Sequence, residues 1–278
     1  MPKNNRTITN DIVFSIVMEE NEDIAKQLVA KIVNRDLSEL EDLTVEQQKT
    51  RQVMLQSKGI RFDIYMSGER KVIDTEMQNS DEQNLVFRSR YYVSVNDCKC
   101  LGRGMDYSDL PETVIIFICT FDPFGMKYAK YITHEGLYID EEYKNEVSKE
   151  TGYDSRITKI FLNASKDVEY WNVSEELKNV LQYINTQKPT DAFTSELQNA
   201  VVDVCSKKEE EIMDFERYVA EKEFLTAKRE KMEAIKEMMD SNLPIELIAK
   251  ISRLPINKTK DLIAEIEKRE KREKEEHS

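Results

Sequence analysis

Residues 61–78 read RFDIYMSGERKVIDTEMQ, and this stretch decides how the chain is built. Two runs rich in β-branched and aromatic residues flank Ser67-Gly68-Glu69-Arg70, a glycine-containing break of the kind that joins antiparallel strands. A two- or four-residue loop there sets Asp63 opposite Asp74 and diagonal to Glu76. Side chains alternate faces along a strand, so Asp74, Glu76 and Gln78 share one face, and Asp63 joins them. Ile64, Ile73 and Met77 form the apolar back of the hairpin. Carboxylates, a backbone carbonyl and an amide then converge, as a hard-cation site requires.

Phosphodiester hydrolysis needs an activated water, a cation near the developing phosphorane charge and a group that positions the attacking oxygen. Asp63 and Glu76 supply carboxylate oxygens for Mg²⁺, with Mn²⁺ as a natural substitute. The Met77 carbonyl and water complete the octahedron. Gln78, on the same face, orients the water or a phosphate oxygen without adding charge. The pattern Asp-x12-Glu-x-Gln is weak by itself, because acids on the wet face of a surface hairpin are common.

Composition narrows the setting. The chain has 278 residues, 34% of them charged, and a formal net charge of -13. That balance argues against nonspecific binding of polyanions through a global basic field, while leaving a local, cation-assisted nucleic-acid site open. Cys98-x-Cys100 has the wrong spacing for a zinc knuckle, and with Cys119 and Cys205 it reads as reduced thiol, which suits the cytoplasm. The first residues lack an apolar secretory core, and no apolar run is long enough to span a bilayer.

A helix starting near Asn10 carries Ile12, Phe14, Ile16 and Val17, and a second stripe of Ile24, Leu28, Ile32 and Val33 ends near Asn34. Residues 81–96 read as a helix following the hairpin. Residues 113–121, TVIIFICTF, form the most apolar run and read as a strand buried on both faces. Residues 128–138 suggest a further hairpin, 157–163 another buried strand, and Ser174 caps a helix to about Ile184. The resulting class is α/β, a mixed sheet with helices on its faces. Composition changes near residue 187. The expected division is a 1–187 core and a 188–278 helical extension, with a long helix, two short helices (245–251 and 257–266) and a fraying charged tail.

Several motifs recur here in order: Phe62-Asp63-Ile64-Tyr65, Glu76-Met77-Gln78, Arg88-Ser-Arg-Tyr-Tyr92, Asp106-Tyr107-x-x-Leu110-Pro111, Ile115 to Cys119 and Phe121-Asp-Pro-Phe-Gly125. Together, over residues 9–163, they resemble the PD-(D/E)XK nuclease superfamily, in the branch of recombination-promoting nucleases and transposases. The resemblance implies a restriction-endonuclease-like mixed sheet and a metal-dependent DNA endonuclease. Asp63 and Glu76 then carry over as metal ligands, and Gln78 stands where relatives have lysine.

Other candidates are weaker. A first-helix acid often completes this superfamily's site, and Asp11, Glu19 and Glu20 fit equally; capping or solvation explains each as well. Lys58, Arg88 and Arg90 could contact DNA phosphates, or lie as ordinary surface cations over apolar neighbours. Asp122-Pro-Phe-Gly125 reads better as a strand-ending turn than as a site. The C-terminal two-helix unit could be a helix-turn-helix DNA reader, but the long helix before it favours homo-oligomerisation through the C-terminal helices. The rival to the enzyme is an inactive nuclease fold kept as a DNA- or protein-binding regulatory module.

Overall fold

The computed structural model describes residues 6–46, 63–80 and 84–276. They fall into two compact units, residues 1–212 and 213–278. The first contains α1 (Asp11–Glu20), α2 (Glu22–Val33), β1 (Thr44–Val45), β2 (Ile64–Ser67), β3 (Lys71–Gln78), α3 (Leu85–Cys100), β4 (Glu112–Cys119), β5 (Lys130–Thr133), α4 (Ser148–Thr151), β6 (Ile157–Asn163), α5 (Glu175–Thr186) and α6 (Ala192–Lys207). The strands make one mixed sheet in the order β1-β2-β3-β4-β6-β5.

Each helix boundary has a local cause. The Asn10 side chain accepts from the Val13 N–H at 3.0 Å and starts α1, while Asn34 in the left-handed conformation stops α2. Ser174 caps α5 in the same way as Asn10, through the Leu177 N–H. The connection from β3 through α3 returns β4 parallel to β3, and β6 follows parallel to β4. These three strands are central, which is why β4 is buried from Thr113 to Cys119.

The two faces of the sheet differ. Tyr65, Val72, Ile115, Phe117, Cys119 and Phe161 pack with Leu85, Tyr92 and Val93 of α3. By strand alternation, Asp74, Glu76 and Gln78 lie on this α3-covered face. Ile64, Ile73 and Met77 are buried on the other. There the end of α2 meets the sheet around a small cavity lined by Val33, Leu40, Ile73, Val114 and Ile160.

The hairpin register differs from the expectation by two residues. Tyr65, not Asp63, stands opposite Asp74, and the Ile64–Thr75 pair brings Asp63 level with Glu76. The turn tip is Glu69-Arg70, because Gly68 N–H closes on the Lys71 carbonyl at 2.9 Å. Gly68 is needed for close approach rather than for the tip: a Cβ there would lie 2.7 Å from Leu43 Cδ2. A two-residue shift preserves side-chain parity, so the acids keep their common face.

Three other expectations change. The stretch 128–138 is not a hairpin; β5 pairs antiparallel with β6, and Tyr138 makes only a bridge to Glu146. The change of composition at 187 precedes α6, which packs on α1, so the first compact unit continues to Ile212. The backbone of the charged tail continues α9 as far as Glu276.

The second unit comprises most of α7 (Glu209–Asp240), α8 (Ile245–Ile251) and α9 (Ile256–Glu276). Its core is Met232, Ile235, Ile248 and Ile266, with Leu243, Leu254 and Leu262 packed around it. Lys228 pairs with Glu265 across it at 2.7 Å.

Candidate active site

Strand pairing between β2 and β3 ends at Ile64–Thr75, and the next step toward the end of β3 is made by side chains. The Met77 N–H donates to Asp63 Oδ2 at 2.7 Å, and the Asp63 N–H donates to Glu76 Oε1 at 3.3 Å. Each acid thus accepts a backbone N–H from the other's strand. From α1, the buried Ser15 hydroxyl donates to the Asp63 carbonyl at 2.9 Å. The Asn79 side chain ties the end of β3 to the Thr9 carbonyl.

Asp63, Asp74, Glu76 and Gln78 are all buried. Burial first, then the charges of Asp63 and Asp74, hold the Glu76 carboxyl well above the usual carboxylate range; Arg88 and the Asp63 N–H act against this. Gln78 places its Nε2 3.0 Å from the Met77 carbonyl, as donor, and its Oε1 2.6 Å from Arg88 Nη1. Arg88 also donates to the Tyr92 hydroxyl at 3.1 Å and stands 3.8 Å from Glu76 Oε2. Burial, then the Glu76 charge, raise the Tyr92 hydroxyl so that it remains protonated.

Of the sequence candidates, the structure brings together Asp63, Glu76, Gln78, the Met77 carbonyl and Arg88. Arg90, two residues further along α3, is exposed and makes none of these contacts. Among the first-helix acids, Glu19 is the one tied to the site, because Ser15 Oγ lies 3.5 Å from its Oε1 as well as against Asp63. Glu20 instead pairs with Lys208, and Asp11 lies in the first turn of α1. Lys58 is outside the described residues. Asp122 serves its turn: its carboxylate accepts from the N–H groups of Phe124, Gly125 and Lys127.

Sequence reasoning missed Ser15 and Tyr92 as parts of the site. Ser15 gives no signal, since a serine within an apolar helix commonly bonds back to its own backbone. Tyr92 did give one, standing four residues after Arg88 on the same helical face.

The donor set suits a hard cation. The carboxylates of Glu76 and Asp63 and the Met77 carbonyl are all oxygen donors, and the crowding of acids around Glu76 is what a cation relieves. Among the described residues, no group of three or more His, Cys, Asp or Glu side chains is arranged to hold an ion.

The fold is thus a mixed α/β sheet with an acid at the end of its β2–β3 hairpin and a Glu-x-Gln on β3, the arrangement the resemblance implies. Comparison with protein families agrees: the family described as PD-(D/E)XK nuclease family transposase matches residues 8–244. The chain belongs to that family. No curated protein and no solved structure matches it. Among the described residues, no helix is long and apolar enough to cross a membrane.

Proposed function

We propose that this protein is a divalent-cation-dependent DNA endonuclease that promotes recombination through the breaks it makes. The observation that carries the proposal is the reciprocal clasp of Asp63 and Glu76, which presents two acids side by side at the end of β3. Asp63, Glu76 and the Met77 carbonyl are the groups to hold Mg²⁺ or Mn²⁺. When bound, the ion supplies positive charge beside the scissile phosphate and makes a water easier to deprotonate. Water oxygen bonds to phosphorus, one ester P–O bond breaks, and the proton lost by water balances the one gained by the departing sugar oxygen. Asp63 is held by Ser15 and the Met77 N–H, so its carboxylate does not reorient during these steps. Gln78 lines the same face, where its amide can position polar groups. The cytoplasm is the compartment this reading implies.

The deciding experiment follows supercoiled plasmid with wild type and Glu76→Ala, each with Mg²⁺, with Mn²⁺ and with chelator. Metal-dependent nicking or linearisation by wild type alone supports the proposal. Equal cutting by both proteins removes Glu76 from the chemistry. DNA binding without any cutting by wild type leaves the inactive regulatory module.

For the second unit we infer self-association. Its long helix α7 leaves Phe224 and Leu225 68% and 54% exposed, side by side in an otherwise charge-dense segment.

A further inference from the structure

Both ends of the Gln78 amide are engaged within the protein. Oε1 accepts from Arg88 Nη1 at 2.6 Å, and Nε2 donates to the carbonyl of its neighbour Met77 at 3.0 Å. An amide tied at both ends is poorly disposed to turn toward a substrate, and it carries no charge. The group at the same place that does carry charge is Arg88. Its guanidinium lies 5.5 Å from the centre of the Phe117 ring and 5.7 Å from that of Tyr92, a packing that restricts its motion. One nitrogen stands 3.8 Å from Glu76, and the side chain remains 24% exposed. Arg88 is thus fixed at the rim of the acid pair with part of its surface open to solvent.

Resting on the nuclease reading above, we propose that Arg88 meets the negative charge that develops on the scissile phosphate, and that Gln78 is a positioning residue holding Arg88 in place. The chemistry favours this division. A planar guanidinium offers several N–H donors in one fork and matches phosphate geometry in a way an amide does not. Its charge is permanent, so it needs no proton at the moment of reaction. The Gln78 hydrogen bond and the Tyr92 hydroxyl hold two different guanidinium nitrogens, which fixes the plane of the fork as well as its location. Glu76 lies beside it, so the cation-holding acid and the phosphate-facing cation are set by adjacent contacts. Gln78 therefore acts through Arg88, from a strand that cannot shift without breaking the sheet.

The test is a single-turnover cleavage assay with Mg²⁺ on wild type, Arg88→Ala, Arg88→Gln, Arg88→Lys, Gln78→Ala and Gln78→Ala/Arg88→Ala. Mn²⁺ titration calorimetry and thermal melts are run on the same proteins. Loss of a preorganised donor predicts a fall of about 10²–10³-fold in the rate constant for Arg88→Ala and for the uncharged Arg88→Gln. Arg88→Lys, which keeps the charge, should recover part of it. Gln78→Ala should fall less, and the double variant should be no slower than Arg88→Ala, since Gln78 has nothing left to position. The Mn²⁺ binding heat should persist in Arg88→Ala, which separates this role from that of a metal ligand. If wild type cuts and Arg88→Ala or Arg88→Gln cuts as fast, the Arg88 assignment is overturned while the nuclease reading stands. If the double variant loses the product of the two single losses, Gln78 acts independently and the positioning role is overturned. If wild type does not cut with any metal, the nuclease reading fails and this assignment falls with it.

Discussion

The carboxylate of Asp63 accepts the Met77 N–H at 2.7 Å while that of Glu76 accepts the Asp63 N–H at 3.3 Å, so each acid orients the other through the backbone. Charge and hydrogen bonding at Asp63 can therefore be separated. Asp63→Ala leaves the buried Met77 N–H without its acceptor and should cost about 1–3 kcal/mol of unfolding free energy. Asp63→Asn keeps an oxygen at the same place and should unfold within about 1 kcal/mol of wild type, the usual net worth of one hydrogen bond. Both should abolish metal-dependent cleavage. Urea titrations beside the plasmid assay check this; an Asp63→Asn protein that cuts normally would remove the carboxylate from the mechanism.

Gly68 is set by its neighbours rather than by its turn. A Cβ there would meet Leu43 Cδ2 at 2.7 Å and the Asp42 carbonyl oxygen at 3.4 Å, and Leu43 is buried. Gly68→Ala should destabilise by about 1–3 kcal/mol, as overpacking does. In Leu43→Ala, which vacates the contact, the same substitution should cost less. Equal costs in the two backgrounds, measured by urea midpoints, would show that the contact is not responsible.

Asp191 starts α6. Burial raises its pKa, but the Thr194 hydroxyl and N–H and the Asn179 amide together outweigh that and leave it below the usual aspartate value. A folded pKa below the unfolded one means stability present above the unfolded value, about 3.9, and lost as pH falls through the folded value. Asp191→Ala should therefore be about 1 kcal/mol less stable than wild type at neutral pH, the usual worth of such a cap. That gap should shrink when unfolding is measured near pH 3. A gap that widens in acid would contradict the assigned role.

Self-association through α7 predicts a mass above that of one chain in light scattering. Phe224→Glu/Leu225→Glu should return the single-chain mass while leaving the far-ultraviolet circular dichroism unchanged, since both side chains are exposed in the single chain. An unaltered oligomer would direct attention away from this helix.

The sequence carried the fold well wherever one element decides its own state. The apolar run that became β4 and the Asn10 and Ser174 caps needed no tertiary information, and the alternation along β3 correctly put Glu76 and Gln78 on one face. The hairpin register differs because Gly68, which composition assigns to the loop, pairs with Lys71 through its N–H and leaves Glu69-Arg70 as the tip. β5 was misjudged because its partner is β6, which follows it in the chain only after the α4 segment. In the site, Gln78 was visible, but its hydrogen bond with Arg88 was not, because the contact crosses from a strand to the following helix and pattern reading does not fix side-chain direction across that step.

β3 is held on one side by an antiparallel neighbour and on the other by a parallel one, so Glu76 is built into the framework, and Asp63, one residue before β2, is tied to it through the Met77 N–H. The connections outside that framework, residues 101–111 and 134–156, can then lengthen, shorten or change composition among descendants without moving the acids. In such an architecture, diversification of the periphery leaves the acid pair where it was.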